Sequence, residues 1–111
     1  MTRYPLWQSI FFTAALLVAQ AADAALDNAS AQAMMQKSGC AACHAIDKKV
    51  VGPAYQDVAA KYKGDKDGLA KLSDKVKKGG VGVWGQVPMP PNSAVPDADV
   101  KALVSWILSQ K

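Results

Sequence analysis

Apolar residues form one nearly unbroken run near the start of the chain, from Ile10 to Ala19, and afterwards recur at helical spacing in separate stretches. Before those stretches, composition predicts a first helix over 27–37, where Ala29, Ala31, Ala33, Met34 and Met35 are good helix formers. Asp27 or Asn28 can cap it by accepting from unpaired N–H groups. Lys37 complements its last turn, and Gly39 stands where a helix C-terminal glycine belongs. Residues 46–52 read as a loop. Gly52-Pro53 then opens a second helix, with Pro53 near its first position. Tyr55, Val58, Ala59 and Tyr62 supply its apolar spacing, and Gly64 ends it. A third helix is predicted over about 67–78, capped by Asp67, with Leu69, Leu72 and Val76 as its apolar stripe and Gly79-Gly80 as its stop. The last covers about 97–109. Its Val100, Leu103, Val104 and Ile107 follow i, i+3, i+4, i+7, with Trp106 and Leu108 alongside. Asp97 and Asp99 suit its N-terminus, while Pro96 at the cap position leaves the cap chemistry open. No stretch alternates as a strand would, and no internal repeat is present. The pattern is all-α, with a long irregular Gly- and Pro-rich segment between the third and fourth helices, over 79–95.

The first apolar run has another meaning. Arg3 precedes it, and small-x-small sites follow at Ala19-Gln20-Ala21 and Ala22-Asp23-Ala24. This is the pattern of a secretory signal peptide over 1–24, with cleavage expected after Ala24 or Ala25. The run is shorter than the roughly 20 residues a spanning helix needs, so a stable membrane anchor is not expected. The remaining 25–111 make a single small domain. Domains of that size usually need a staple beyond their own apolar core.

Charge narrows the partners. The formal net charge is +4, and of 13 cations only Arg3 is an arginine. Lysines and aspartates are interspersed from Lys37 to Lys78, which reads as a solvated surface or a docking face for an acidic partner, readings that are compatible, and not as the concentrated basic stretch of a nucleic-acid binder.

The chemistry lies at Cys40-Ala41-Ala42-Cys43-His44, which holds both cysteines and the one histidine of the chain. Cys-x-x-Cys-His reads as a c-type haem attachment site. Each thiol can add to one haem vinyl group, and the histidine that follows is carried to the iron. A zinc site would need a further Cys or His ligand, and none remains. A thioredoxin-like dithiol would need a βαβ context, which the pattern lacks. Haem iron held by His and Met is the ligation of electron-transfer cytochromes. Met1 belongs to the signal segment, and Met34 and Met35 sit on the first helix, where core packing is their default. Met89 lies in Val87-Pro88-Met89-Pro90-Pro91, stiffened by prolines of fixed φ. It is the candidate second ligand. Gly80-Val81-Gly82-Val83-Trp84-Gly85 matches G-x-G-x-x-G in letters only, because no strand precedes it and no helix follows. Trp84 reads either as core or as a residue whose indole N–H reaches a haem propionate.

These residues, with Val51-Gly52-Pro53-Ala54, Gly82 to Asn92 and the closing Ala102 to Leu108, resemble the small bacterial class I cytochromes c of the c-551/c-552 type. The resemblance covers about 26–111. It implies a fold of four to five short helices wrapped around one haem c, bound covalently through Cys40 and Cys43. It further implies His44 and Met89 as axial ligands, with the Pro53 carbonyl accepting from His44. Trp84 would donate to a propionate, and Asn92 would hydrogen-bond near the Met89 sulfur. The first and last helices would cross with Met35 and Trp106 at the contact. The implied function is a monomeric periplasmic electron carrier, not an enzyme, shuttling single electrons by Fe(II)/Fe(III) cycling between respiratory complexes. Donor and acceptor enzymes would dock transiently at an exposed haem edge bearing lysines such as Lys48, Lys49, Lys61 and Lys77. The competing readings are a component of a larger oxidase or reductase, and a gas-binding haem sensor with a labile sixth ligand.

Overall fold

The computed structural model describes residues 26–111, so the expected signal peptide and its cleavage site lie outside the described residues. Within them the order is α1 (Asn28–Lys37), a 3₁₀ turn (Cys40–Ala42), α2 (Tyr55–Lys61), α3 (Gly68–Lys78) and α4 (Asp97–Leu108). The only β-type pairings among the described residues are two isolated bridges, His44 with Lys49 and Gly80 with Met89. The all-α reading is thereby met.

The helix ends follow the backbone's need for partners. Asp27 caps α1, its carboxylate accepting from Ser30 N at 2.7 Å. Gly39 leaves α1 with φ 79°, a left-handed conformation that glycine adopts without cost. The second helix departs from expectation. It begins at Tyr55, with Pro53 two residues ahead of it. The reason is that the chain leading into α2 pairs elsewhere. Tyr55 N donates to Ala45 O at 2.9 Å and Gln56 N to Ile46 O at 3.0 Å. The loop before α2 caps it, and the Pro53 carbonyl is left free for other work. At α3, Asp67 occupies the cap position without accepting a side-chain bond. Asp65 Oδ1 takes the Asp67 N–H instead, at 2.9 Å, and Asp65 also accepts from Lys71 Nζ at 2.8 Å.

α2 and α3 both pack on α4, and α1 crosses it. The crossing is closed by Ala31, Met35, Tyr55, Leu103 and Trp106. Met35 and Trp106 therefore meet where the resemblance implied. Trp106 Nε1 donates to Asn28 Oδ1 at 3.0 Å, which joins the first helix to the last. Among the described residues ten hydrophobic side chains are buried, and three of them are alanines. Each larger side chain contributes about 1.5–3 kcal/mol on burial. That makes a thin core for a domain of this length. The apolar stripe of α3 does not join it. Leu72 and Val76 face a cavity instead.

Candidate functional site

The cavity, about 250 Å³, is bounded by three stretches of chain. Cys40, Cys43 and His44 come from the turn after α1. Val51, Gly52, Pro53, Tyr55 and Val58 come from the loop and α2. The continuous segment from Gly80 to Pro90 closes it, and Tyr62, Leu72, Val76, Val104 and Ile107 add to the apolar lining.

The 3₁₀ turn sets the cysteines. Cys43 N and His44 N both donate to Cys40 O, at 3.1 and 3.0 Å. The following loop folds back, with Gly52 N and Val51 N donating to Cys43 O at 2.7 and 3.2 Å. Both thiols are free and half-buried. Burial, with a smaller contribution from Cys43, pushes the Cys40 thiol above its ordinary value, against a hydrogen bond from its own backbone. The attacking thiol of a redox dithiol is shifted the other way, downward.

His44 is fixed on three sides. Its Nδ1 lies 2.8 Å from Pro53 O, which makes Nδ1 the protonated, donating nitrogen and leaves Nε2 free to act as a ligand. The Tyr55 ring stacks on it, with centroids 5.2 Å apart and planes 21° apart. Gly52 backs the ring so closely that a Cβ there would stand 2.5 Å from Cε1. Tyr55 in turn meets Trp106 edge-on at 5.9 Å, so the helix-crossing core supports the histidine. Burial chiefly, then the two cysteines, raises the Tyr55 hydroxyl well beyond the ordinary tyrosine range, so it stays neutral.

Met89 is placed by backbone. Met89 N donates to Gly80 O at 2.8 Å, and Gly80 N to Met89 O at 3.0 Å. Gly79, with φ 73°, lets the chains approach; a Cβ there would stand 2.5 Å from Met89 O. Met35 is buried in the helix crossing and Met34 packs against it, whereas Met89 lines the cavity. Asn92 holds the next stretch: its N donates to Val76 O at 2.9 Å, and its Nδ2 to the Val76 and Pro90 carbonyls at 3.2 Å each.

Trp84 is not core. It is 41 % exposed on the cavity wall, with Lys61 Nζ 5.5 Å from the centre of its ring, a cation–π contact. Gly82 and Gly85 bracket it at φ 102° and 114° in a tight turn closed by Gly82 N to Gly85 O at 3.0 Å. The Gly80–Gly85 glycines thus shape a cavity wall and not a phosphate cradle.

An apolar slot that brings two free thiols, a tautomer-fixed imidazole and a thioether to one lining has the donor set and the walls that haem c requires. The family model for cytochrome c matches residues 27–111. The chain belongs to the cytochrome c family. It is 63 % identical over 75 residues to cytochrome c-551 of Allochromatium vinosum, covering 68 % of this chain and 80 % of that protein. It is 50 % identical over 105 residues to cytochrome c-552 of Nitrosomonas europaea, covering 95 % of this chain and 96 % of that one. The crystal structure of the Nitrosomonas europaea cytochrome c-552 overlays with a TM-score of 0.70 at 52 % identity, spanning 72 % of this chain and 99 % of that chain. It is a small class I cytochrome c, an electron-transfer protein and not an enzyme. Its family binds haem c covalently through a cysteine pair, which here is Cys40 and Cys43. No helix among the described residues is long and apolar enough to cross a membrane.

Sequence reasoning missed several members of the site. Tyr55 was legible only as an apolar helix position, and Gly52 and Gly79 only as helix start and stop. The sequence places Lys77 among the steering lysines, yet its ammonium is engaged with Asp97 and two carbonyls. No local pattern separates these roles, because each is defined by a partner distant in sequence or by a close approach across the cavity.

Proposed function

We propose that the protein is a periplasmic carrier of single electrons, with His44 and Met89 as the two axial ligands of its haem c. One observation carries this reading: Met89 is the methionine, among the described residues, that shares the cavity lining with Cys40, Cys43 and His44. When bound, the haem supplies a one-electron Fe(II)/Fe(III) couple, and a methionine ligand raises its potential. The Pro53 carbonyl orients His44. The Gly80 pairing and the flanking Pro88 and Pro90 hold Met89 ready, which opposes a labile sixth position of the kind a gas sensor needs. Trp84, on the cavity wall with Lys61 over its ring, would donate its indole N–H to a propionate of the bound haem. Asn92 orients the segment that follows Met89.

Donor and acceptor proteins meet the protein through its cationic rim. Lys49 and Lys75 line the cavity and Lys61 covers Trp84, so these three, and not Lys77, bring positive charge to the opening. Complementary charge of this kind raises the rate of encounter more than its strength.

The absorption spectrum of the oxidised holoprotein tests the ligand assignment. The weak long-wavelength charge-transfer band of methionine-ligated ferric haem is expected in the wild type and is expected to vanish in Met89→Ala. A wild type without the band, or a variant that keeps it, overturns the assignment.

A further inference from the structure

Lys77 lies in the last turn of α3. Its Nζ reaches Val95 O at 2.6 Å, Asp97 Oδ1 at 2.9 Å and Ser93 O at 3.2 Å. An ammonium has three donors, so this one is saturated. The other ion-paired lysines of α3 behave differently. Lys78 pairs with Asp74 one turn back and Lys71 with Asp65, both with more than half of the lysine side chain exposed, against 27 % for Lys77. Of these, Lys77 alone reaches forward to the chain that follows Met89.

It does so as the outermost of three anchors. Gly80 pairs with Met89, Val76 O accepts from the backbone N and from Nδ2 of Asn92, and Lys77 holds the stretch from Ser93 to Asp97. All three start from the end of α3 or just beyond it. Pro88 stands just before the first anchored residue, and Pro90, Pro91 and Pro96 lie within the anchored stretch, each with φ fixed. A segment with so few soft dihedrals moves largely as one piece. Holding its far end therefore restrains Met89.

We infer that Lys77 is a positioning residue for Met89, clamping residues 93–97 to α3 and so setting how readily the thioether leaves the cavity. The inference rests on the reading of Met89 as a ligand. Lys77→Leu removes all three donors and introduces no new ligand. In the ferric holoprotein, imidazole is expected to displace Met89 roughly tenfold faster in this variant, since bonds to a charged donor are lost. Displacement is followed as decay of the methionine band. Amide hydrogen exchange supplies a second readout. The Asn92 and Val95 amides are expected to exchange faster while Val104 in α4 is unchanged. Lys77→Arg is expected to restore both, and Lys78→Leu, on the same helix, to leave both at wild-type values. Asp97→Asn is the milder variant should Lys77→Leu not fold; it is expected to shift both readouts the same way by less. Wild-type displacement rates in Lys77→Leu, or equal acceleration of all amides, overturn the clamp. A wild type without the methionine band defeats the ligand assignment instead, and the amide readout still decides whether Lys77 holds the segment.

Discussion

The imidazole of His44 is held between a carbonyl, a phenol ring and a stretch of backbone that has no side chain. Gly52 provides that third wall. A Cβ there would stand 2.5 Å from Cε1, 2.9 Å from Nδ1 and 3.0 Å from Nε2 of the ring. These atoms belong to a rigid ring, so the ring itself must turn, and turning it breaks the bond to Pro53. Gly52 does not have a positive φ, so alanine tests the contact without backbone strain. Gly52→Ala is expected to cost about 1–3 kcal/mol through overpacking and to lower the yield of correctly ligated holoprotein. Calorimetry and the oxidised spectrum check this. A variant with wild-type midpoint and spectrum shows that the wall is not tight. Gly79 is a different case, because there φ 73° and the Met89 carbonyl both exclude a side chain. The two glycines look alike in the sequence. One serves the histidine and the other serves the methionine, and only the packing separates them.

At the scale of elements, local rules account for α1 and fail for α2. Asp27 caps α1 by accepting from Ser30, and that bond, more than anything else, holds its carboxyl below the ordinary value of 3.8. A depressed folded value means stability that is present above the unfolded value and is lost as pH falls through the folded one. Asp27→Ala is therefore expected to lower the thermal midpoint at neutral pH, and the gap to wild type is expected to close as pH drops below the ordinary carboxylate range. Asp27→Asn keeps an accepting oxygen and is expected to show a smaller gap at neutral pH that narrows in parallel, because it too lacks the titrating carboxyl. Midpoints measured across the acid range check it, and a gap for Asp27→Ala that is constant with pH refutes the cap. α2 has no such side chain. Its first N–H groups are taken by Ala45 and Ile46, carbonyls of the loop that carries the motif toward it. Its start is thus a tertiary event, and Pro53, which reads as a helix opener, is an acceptor for His44 instead.

For the whole molecule, the decisive feature is how little core the helices make by themselves. The crossing of α1 and α4 buries Met35, Leu103 and Trp106 well, but α3 turns Leu72 and Val76 to the cavity, and Val83 and Val87 on its far wall are exposed. Conformational entropy opposes folding across every ordered residue. A covalent haem supplies the missing apolar surface. The doubly substituted Cys40→Ala, Cys43→Ala chain, expressed without haem, is expected to show little helix and no cooperative thermal transition by far-UV circular dichroism. A sharp transition in that variant shows that the helices fold on their own.

What the sequence determined by itself is local chemistry: the Cys-x-x-Cys-His spacing, the helix-forming composition of α1, the apolar period of α3 and α4, a cap at Asp27 or Asn28, and a methionine set among prolines. Each is settled within a few residues, by covalent spacing, by helical period or by fixed φ. What only the tertiary structure decided is partnership. It put Tyr55 against His44, Asn28 on Trp106 and Lys61 over Trp84, and it gave Lys77 three acceptors beyond α3. These contacts join residues from separate elements, and no sequence interval encodes them. They exist because the helices wrap one slot, and the chain must satisfy its polar groups wherever that wrapping leaves them.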